Sequence, residues 1–291
     1  MVLPAHSITN LKSMFENRTL LIATKHRKEE VISPIFENYL GVKCIVPADF
    51  DSDILGTFSG EIERKDNPLE TARKKCLLAL ENSGYDLAIA SEGSFGPHPS
   101  AYFIAADEEI LYFMDTKNEL EIFARTISTE TNFQAADIKS ENELKRFAEK
   151  VKFPSHAIIM RNGKNANDEL VKGITRHEDL YRNFNHFISK YGKAYVETDM
   201  RAMYNPCRMK VIEKTALDLC HKIQNKCPEC TAPGYSIKDF REGLPCELCM
   251  YPTKSILAVI YTCQKCRFSE EKYYPNGKNY EDPAYCNYCN P

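Results

Sequence analysis

Tryptophan is absent from the 291 residues, and no apolar run approaches the roughly 20 residues that a membrane span requires. A large charge of either sign is also missing: 38 Lys and Arg face 41 Asp and Glu, a net charge of −3. No global field therefore draws the chain toward nucleic acid or anionic lipid, and any polyanion site must be local. The opening stretch MVLPAHSITNLKSMFENRTLLIATKHRK lacks the charged start, apolar run and small-residue cleavage site of a secretory signal. A cytoplasmic location is expected, where thiols stay reduced. Internal repeats, low-complexity tracts and disordered linkers are absent too. With 43% hydrophobic and 27% charged residues the composition is that of an ordinary globular protein, long enough for one large domain and one small one.

Cysteine is scarce in the first two hundred residues, with only Cys44 and Cys76, and concentrated after them. From Cys227 onward four Cys-x-x-Cys knuckles follow: Cys227/Cys230, Cys246/Cys249, Cys263/Cys266 and Cys286/Cys289, separated by 15, 13 and 19 residues. In reduced surroundings this pattern specifies metal rather than disulfides. A two-residue spacer aims both thiolates of a knuckle at one ion, and two knuckles complete a tetrahedral shell. Eight thiols thus make two zinc sites, closed and structural rather than catalytic, because an all-thiolate shell leaves no position for water.

The pairing of knuckles is constrained by what lies between them. Residues 253–262, TKSILAVIYT, contain no turn former and read as one continuous strand. At about 3.3 Å per residue it spans roughly 30 Å, which separates the second knuckle from the third. The other gaps hold turn signals, APG and REG in the first and PNGK in the last. Sequential pairing, first with second and third with fourth, is favoured over a cross-braced arrangement. From Lys222 to Pro291 nine basic and eight acidic residues give +1, and two zinc tetrathiolates bring the tail to about −3. That argues against phosphate-backbone binding. Tyr273, Tyr274, Tyr280, Tyr285 and Tyr288 read as packing for a thin core, with base stacking as the alternative.

Before the tail, strand and helix signals alternate. TLLIAT and VKCIVPA are strands around a helix that Pro34 should either start, with Ser33, or kink. NPLETARKKCLLALENSG is a helix capped by Asn67, with Pro68 at its first position and Gly84 past its end. YDLAIA follows as a strand, and then AYFIAA and ILYFMD flank a tight DEE connection in an antiparallel meander with EIFARTIS. Ser140 and Glu143 mark a capping box, Gly192 stops a helix over HEDLYRNFNHFISKY, and AYVETD is the last strand. A helix from Asn205 and Pro206 leads into the tail. These signals predict an α/β domain with a mixed sheet over 1–204, a connecting helix over 205–225 and a two-zinc, zinc-ribbon-like domain over 226–291.

Three places bring charged groups to strand ends, where ligands of open α/β sheets bind. Thr24, Lys25, His26, Arg27 and Lys28 follow the first strand at a helix start, a basic cluster suited to an anion and otherwise a solvated loop. Glu70 and Lys75 lie on the capped helix, where Glu70 also occupies a capping position. Glu92 follows a buried strand and precedes the small residues Gly93 and Ser94, which let a ligand approach the backbone. Glu70 and Glu92 together would hold one Mg2+ through oxygen. Asp199 and Arg201 follow the final strand, as a structural ion pair or as further site residues.

ATKHRK, LETARKKC and LAIASEGSFG, in that order and at those positions, resemble the three motifs of the inosine/xanthosine triphosphate pyrophosphatases. The resemblance covers residues 19 to 100. It implies that family's fold for the body, phosphate contact at Thr24 and Lys28, metal binding or water activation at Glu70 and Glu92, and charge stabilisation at Lys75. His26 and Thr71 stand where the family has Asn, Lys28 comes one residue early, and Ser91 replaces an Asp. The whole layout, with GLPCELC, YTCQKC and YCNYCNP, is similar to an uncharacterised bacterial family and implies no activity. The resulting expectation is a Mg2+-dependent hydrolase of nucleoside triphosphates or a related phosphoanhydride, with a nucleotide or other phosphorylated small molecule as partner and a homodimer left open. The alternative is a non-enzymatic zinc protein that binds a protein or a nucleic acid.

Overall fold

A computed structural model of the chain describes residues 14–48, 50, 66–81, 83–164, 166 and 168–291. These fall into two compact units, one ending at Cys220 and the other running from His221 to Pro291. Residues 1–13 of the opening stretch read for a signal lie outside the described residues. No helix among those residues is long and apolar enough to cross a membrane.

The larger unit is mixed α/β and carries two sheets, where the sequence led us to expect one. Its elements begin with β1 (Thr19–Ala23), α1 (Glu29–Leu40), β2 (Lys43–Ile45), α2 (Pro68–Leu80), β3 (Leu87–His98), β4 (Ala101–Asp115) and β5 (Leu120–Ser128). These strands make a sheet of order β2-β1-β3-β4-β5 in which β1 runs parallel to β2 and β3 and the remaining pairs are antiparallel. The chain continues as β6 (Ala135–Ile138), α3 (Glu141–Lys150), β7 (Ile158–Arg161), β8 (Leu170–Ile174), α4 (His177–Tyr191), β9 (Ala194–Thr198) and α5 (Pro206–Gln224). Here the strands form a second, antiparallel sheet of order β6-β9-β7-β8. Each sheet has its own core because period-two alternation gives each strand an apolar face to bury. On the first sheet Ala72, Cys76 and Ala79 of α2 pack on Ala88, Ala90, Tyr112 and Met114. On the second, Leu144 and Phe147 of α3 and Leu180, Phe184 and Phe187 of α4 enclose Ile158, Met160 and Val196.

Of two local expectations, the one at Pro34 is narrowed to its second alternative and the other is corrected. The helix α1 starts at Glu29, four residues before Ser33, and contains Pro34. Ile32, Phe36 and Leu40 recur every fourth residue and are all buried, so one continuous apolar stripe holds the helix across the missing N–H. The DEE segment is no turn: Asp107, Glu108 and Glu109 lie inside the unbroken β4, and the hairpin closes between His98 and Ala101. The register explains this. β3 continues through SEGSFGPH and pairs Phe95 with Asp107 and Gly93 with Glu109, so the acids alternate inward and outward like any strand residues.

Helix α5 was expected as a connector. Its residue Arg208, fully buried, is ion-paired with Glu109 of β4, which ties the start of the helix to the first sheet.

The smaller unit contains β10 (Ser236–Glu242), β11 (Ile256–Thr262) and β12 (Ser269–Tyr273), an antiparallel meander of order β10-β11-β12.

Candidate functional sites

Where β1 stops, β3 continues. Ala23 pairs with Ala90, and beyond that point Ser91 and Glu92 have no neighbour from β1. Lys28 takes the place: its Nζ donates to the Ser91 carbonyl at 3.3 Å and to Ser91 Oγ at 3.1 Å. The loop that delivers it is bent sharply, with His26 at φ 67° and Arg27 at φ 61°, two consecutive left-handed residues that are not glycine. Such conformations are unfavourable and persist where the surroundings fix them. Lys28 is 4% exposed. Burial, with the positive charges of Arg208 and Lys75 and against the pull of Glu109 and Glu92, brings its pKa down to about 7.

The neighbouring positions split between the two sheet faces. On the α2 side Lys75 is ion-paired with Glu92, both buried. Ser94 shares that face and donates to Glu108 at 3.4 Å. On the opposite face Arg208 Nε bonds Glu109 Oε1 at 2.6 Å, and Nη1 bonds the Met200 carbonyl at 2.6 Å. Asp107, 1% exposed, stands on that face as well, and burial together with the Glu109 charge raises its pKa to about 8 against the pull of Arg208 and Lys28. Six ionisable groups, three of each sign, thus gather where β1 ends.

Of the residues singled out from sequence, Lys28, Lys75 and Glu92 belong to this cluster. Thr24 is buried beside it, with Oγ1 donating to the Lys25 carbonyl at 3.2 Å; Lys25 and His26 are half-buried in the bent loop. Glu70 is exposed on the first turn of α2, where its backbone N–H donates to Asn67 Oδ1 at 3.0 Å. Asp199 and Arg201 form a close ion pair, with Nη2 at 2.6 Å from Oδ2, and Asp199 also accepts from the Gly173 amide at 3.1 Å. They border the cluster through Met200 and through Asn205, whose Oδ1 accepts from the Arg208 amide at 3.1 Å. Sequence reasoning missed Asp107, Glu109 and Arg208. No local signal marked them: Asp107 and Glu109 flank a third acid, Glu108, and Arg208 lies in an ordinary helical pattern.

The thiols of the smaller unit gather into two tetrads, Cys227, Cys230, Cys263 and Cys266, and Cys246, Cys249, Cys286 and Cys289, and each could hold a zinc ion. Sulfur separations of 3.6 Å for Cys227–Cys266 and Cys230–Cys263, and of 3.9 and 3.7 Å for Cys246–Cys289 and Cys249–Cys286, bracket the edge of about 3.8 Å expected for a tetrahedron with Zn–S near 2.3 Å. First knuckle therefore meets third and second meets fourth, which corrects the sequential pairing. The reason is the strand argument itself, applied to every gap. β10 carries the chain away from the first knuckle, β11 returns it with Thr262 opposite Ser236, and β12 leads away again with Tyr273 opposite Ala258. Each strand separates consecutive knuckles and brings alternate ones together.

The knuckles share one local geometry. The first cysteine's carbonyl accepts from the N–H four residues on at Thr231, Met250, Arg267 and Asn290, at 2.8 to 3.1 Å. The crowded thiols differ in acidity. Burial raises the Cys263 pKa, but hydrogen bonds from the Cys266 and Lys265 amides outweigh it and bring it to about 7. At Cys266 the Phe268 amide lowers the pKa, and burial and the three neighbouring thiols raise it to about 12. A divalent ion removes this conflict.

The tyrosines expected as packing are exposed: Tyr273, Tyr274, Tyr280, Tyr285 and Tyr288 by 51, 43, 49, 71 and 70%. Tyr235, Tyr261 and Phe268 pack around the first tetrad instead.

A family model described as "Domain of unknown function (DUF6671)" matches residues 75–291. No curated protein matches the chain. Among solved structures, protein VC0702 from Vibrio cholerae is similar at 8% identity and a TM-score of 0.30, over 72% of this chain and 96% of that one. At that level the likeness carries no argument.

Proposed function

The chain belongs to the DUF6671 family, and we propose that its larger unit hydrolyses nucleoside triphosphates or a related phosphoanhydride. The observation that carries this reading is the buried Lys28, aimed at the end of β3 beside the Lys75–Glu92 pair, on a loop held in left-handed conformation. Desolvation of a lysine ammonium costs free energy, and an anion beside it offsets that cost. The resemblance of the surrounding motifs to the inosine/xanthosine triphosphate pyrophosphatases names the anion as a triphosphate.

Water attacks the α-phosphorus, the bond from that phosphorus to the bridging oxygen breaks, and pyrophosphate leaves. Glu92, fixed by Lys75, orients the water and takes its proton, while Lys28 and Lys75 face the charge that develops on the phosphates. Thr24, Lys25 and His26 border the phosphates. Carboxylate oxygen suits Mg2+, and Glu92, buried and paired with Lys75, and the exposed Glu70 are the acids that would hold it. Mg2+ enters with the phosphates of the substrate. Two zinc ions hold the smaller unit together.

The test is pyrophosphate release from a nucleotide panel in Mg2+. Glu92→Ala should lower turnover at least ~10^2-fold. Equal rates for variant and wild type would end the proposal.

A binding module is the second reading, favoured by one observation. Leu248, Met250, Tyr251, Tyr285 and Tyr288 are all more than half exposed around the second tetrad, and Tyr251 stacks on Tyr288 with ring centres 5.3 Å apart. Exposed apolar clusters of this kind mark interaction surfaces. If no nucleotide is turned over or raises the melting temperature, this reading takes precedence.

A further inference from the structure

Antiparallel pairing sets Glu109 of β4 between Gly93 on one side and Thr126 of β5 on the other, and Asp107 between Phe95 and Ser128. Directly opposed residues share a face, so Asp107, Glu109 and Thr126 project from the same side of the sheet. It is the side away from Glu92 and Lys75, which occupy the alternate positions. All three residues are buried, at 1, 0 and 6% exposure.

Both carboxylate oxygens of Asp107, Glu109 Oε2 and Thr126 Oγ1 are buried without a hydrogen-bond partner. The protein's own cations stand close by, and Arg208 is paired with Glu109 itself, but none of them bonds these four atoms. Arg208 bonds Glu109 Oε1 and the Met200 carbonyl, Lys28 bonds Ser91, and Lys75 bonds Glu92. Buried acceptors are ordinarily satisfied, and leaving a carboxylate without a donor is strongly unfavourable. Two carboxylates and a hydroxyl are oxygen donors of the type taken by hard divalent ions, which fill their remaining positions with water.

We propose that Asp107, Glu109 and Thr126 form a site for one divalent cation of the Mg2+ and Mn2+ class, distinct from the thiolate tetrads and from Glu92. The site stands apart from the hydrolase reading, because cation binding is measured without turnover.

The experiment titrates Mn2+ into the full zinc-loaded chain and follows the free ion by electron paramagnetic resonance. One Mn2+ should bind per chain and be displaced by Mg2+. Asp107→Asn should weaken binding at least tenfold, Thr126→Val should weaken it several-fold with the fold kept, and Glu92→Gln should bind as wild type. Absence of bound Mn2+ in the wild type overturns the proposal, as it would if Asp107 shared a proton with Glu109. Unchanged affinity in both the Asp107 and Thr126 variants, or loss of binding in Glu92→Gln, overturns it as well. Pyrophosphate release by the wild type, measured separately, decides the hydrolase reading whichever way the Mn2+ titration falls.

Discussion

Gly93 faces Glu109 directly across the β3–β4 pair, and the acid's side chain fills the space above it. A Cβ at Gly93 would lie 2.8 Å from the Glu109 carboxyl carbon and 2.5 Å from Arg208 Nη2. The glycine is required by this close approach and not by its backbone angles. Glu109 and Arg208 are fully buried and bonded to each other, so neither side chain can swing away. Gly93→Ala should therefore destabilise the chain by about 1–3 kcal/mol, the range for overpacking. Gly96→Ala, three residues along the same strand with nothing within 4 Å of its Cβ position, should change stability by less than about 0.5 kcal/mol. Urea unfolding of the two variants checks the contrast.

The Lys28 ammonium makes stability depend on pH in a definite direction. Its pKa is about 7 in the folded protein against 10.5 for the free side chain, so between those values the unfolded chain holds a proton that the folded chain has released. Stability rises with pH through that window, by up to about 1.4 kcal/mol per unit. Asp107 acts oppositely: raised from 3.8 to about 8, it makes stability fall as pH rises between those values. Subtracting a variant from the wild type isolates one group. Lys28→Met should be more stable than wild type at pH 6 and should lose this advantage progressively by pH 10. Parallel melting curves for the two proteins over that range would show that Lys28 carries no buried charge.

Much of this architecture was legible because its signals are local. Asn67 caps α2 through the Glu70 amide, Ser140 caps α3 through the Glu143 amide, and Gly192 closes α4 in left-handed conformation, all as the residue types require. The cysteine pairs were equally plain. What failed was information carried between distant segments. Asp107, Glu108 and Glu109 have the composition of a turn, and only pairing with β3 and the guanidinium of Arg208 makes them strand residues. Lys28 and Lys75 read as candidate site residues, with a solvated loop as the alternative for Lys28; that Lys28 is buried follows from where β1 ends relative to β3. The five tail tyrosines looked like core because a small domain needs aromatics, yet the cysteine tetrads and three other rings suffice.

The cross-braced arrangement makes a prediction that sequential pairing reverses. Cys230 and Cys263 belong to one tetrad, and Cys249 belongs to the other. A tetrad that loses one thiolate keeps an incomplete shell, and a structural zinc site is worth on the order of 10 kcal/mol only when its ligands are all present. The double variant Cys230→Ser/Cys263→Ser damages a single tetrad, so the purified chain should retain one zinc under mild chelation. Cys230→Ser/Cys249→Ser damages both and should retain none. With sequential pairing the first variant would strip both ions and the second would keep one. Elemental analysis of zinc per chain separates the two, and it does so without requiring any activity of the protein. The meander makes the expected outcome firm: Ser236 pairs with Thr262, so the strands that follow the first knuckle and precede the third start and end side by side. A register in which those two knuckles part company would require β10 and β11 to separate, at the cost of the apolar packing that surrounds Ala258 and Val259.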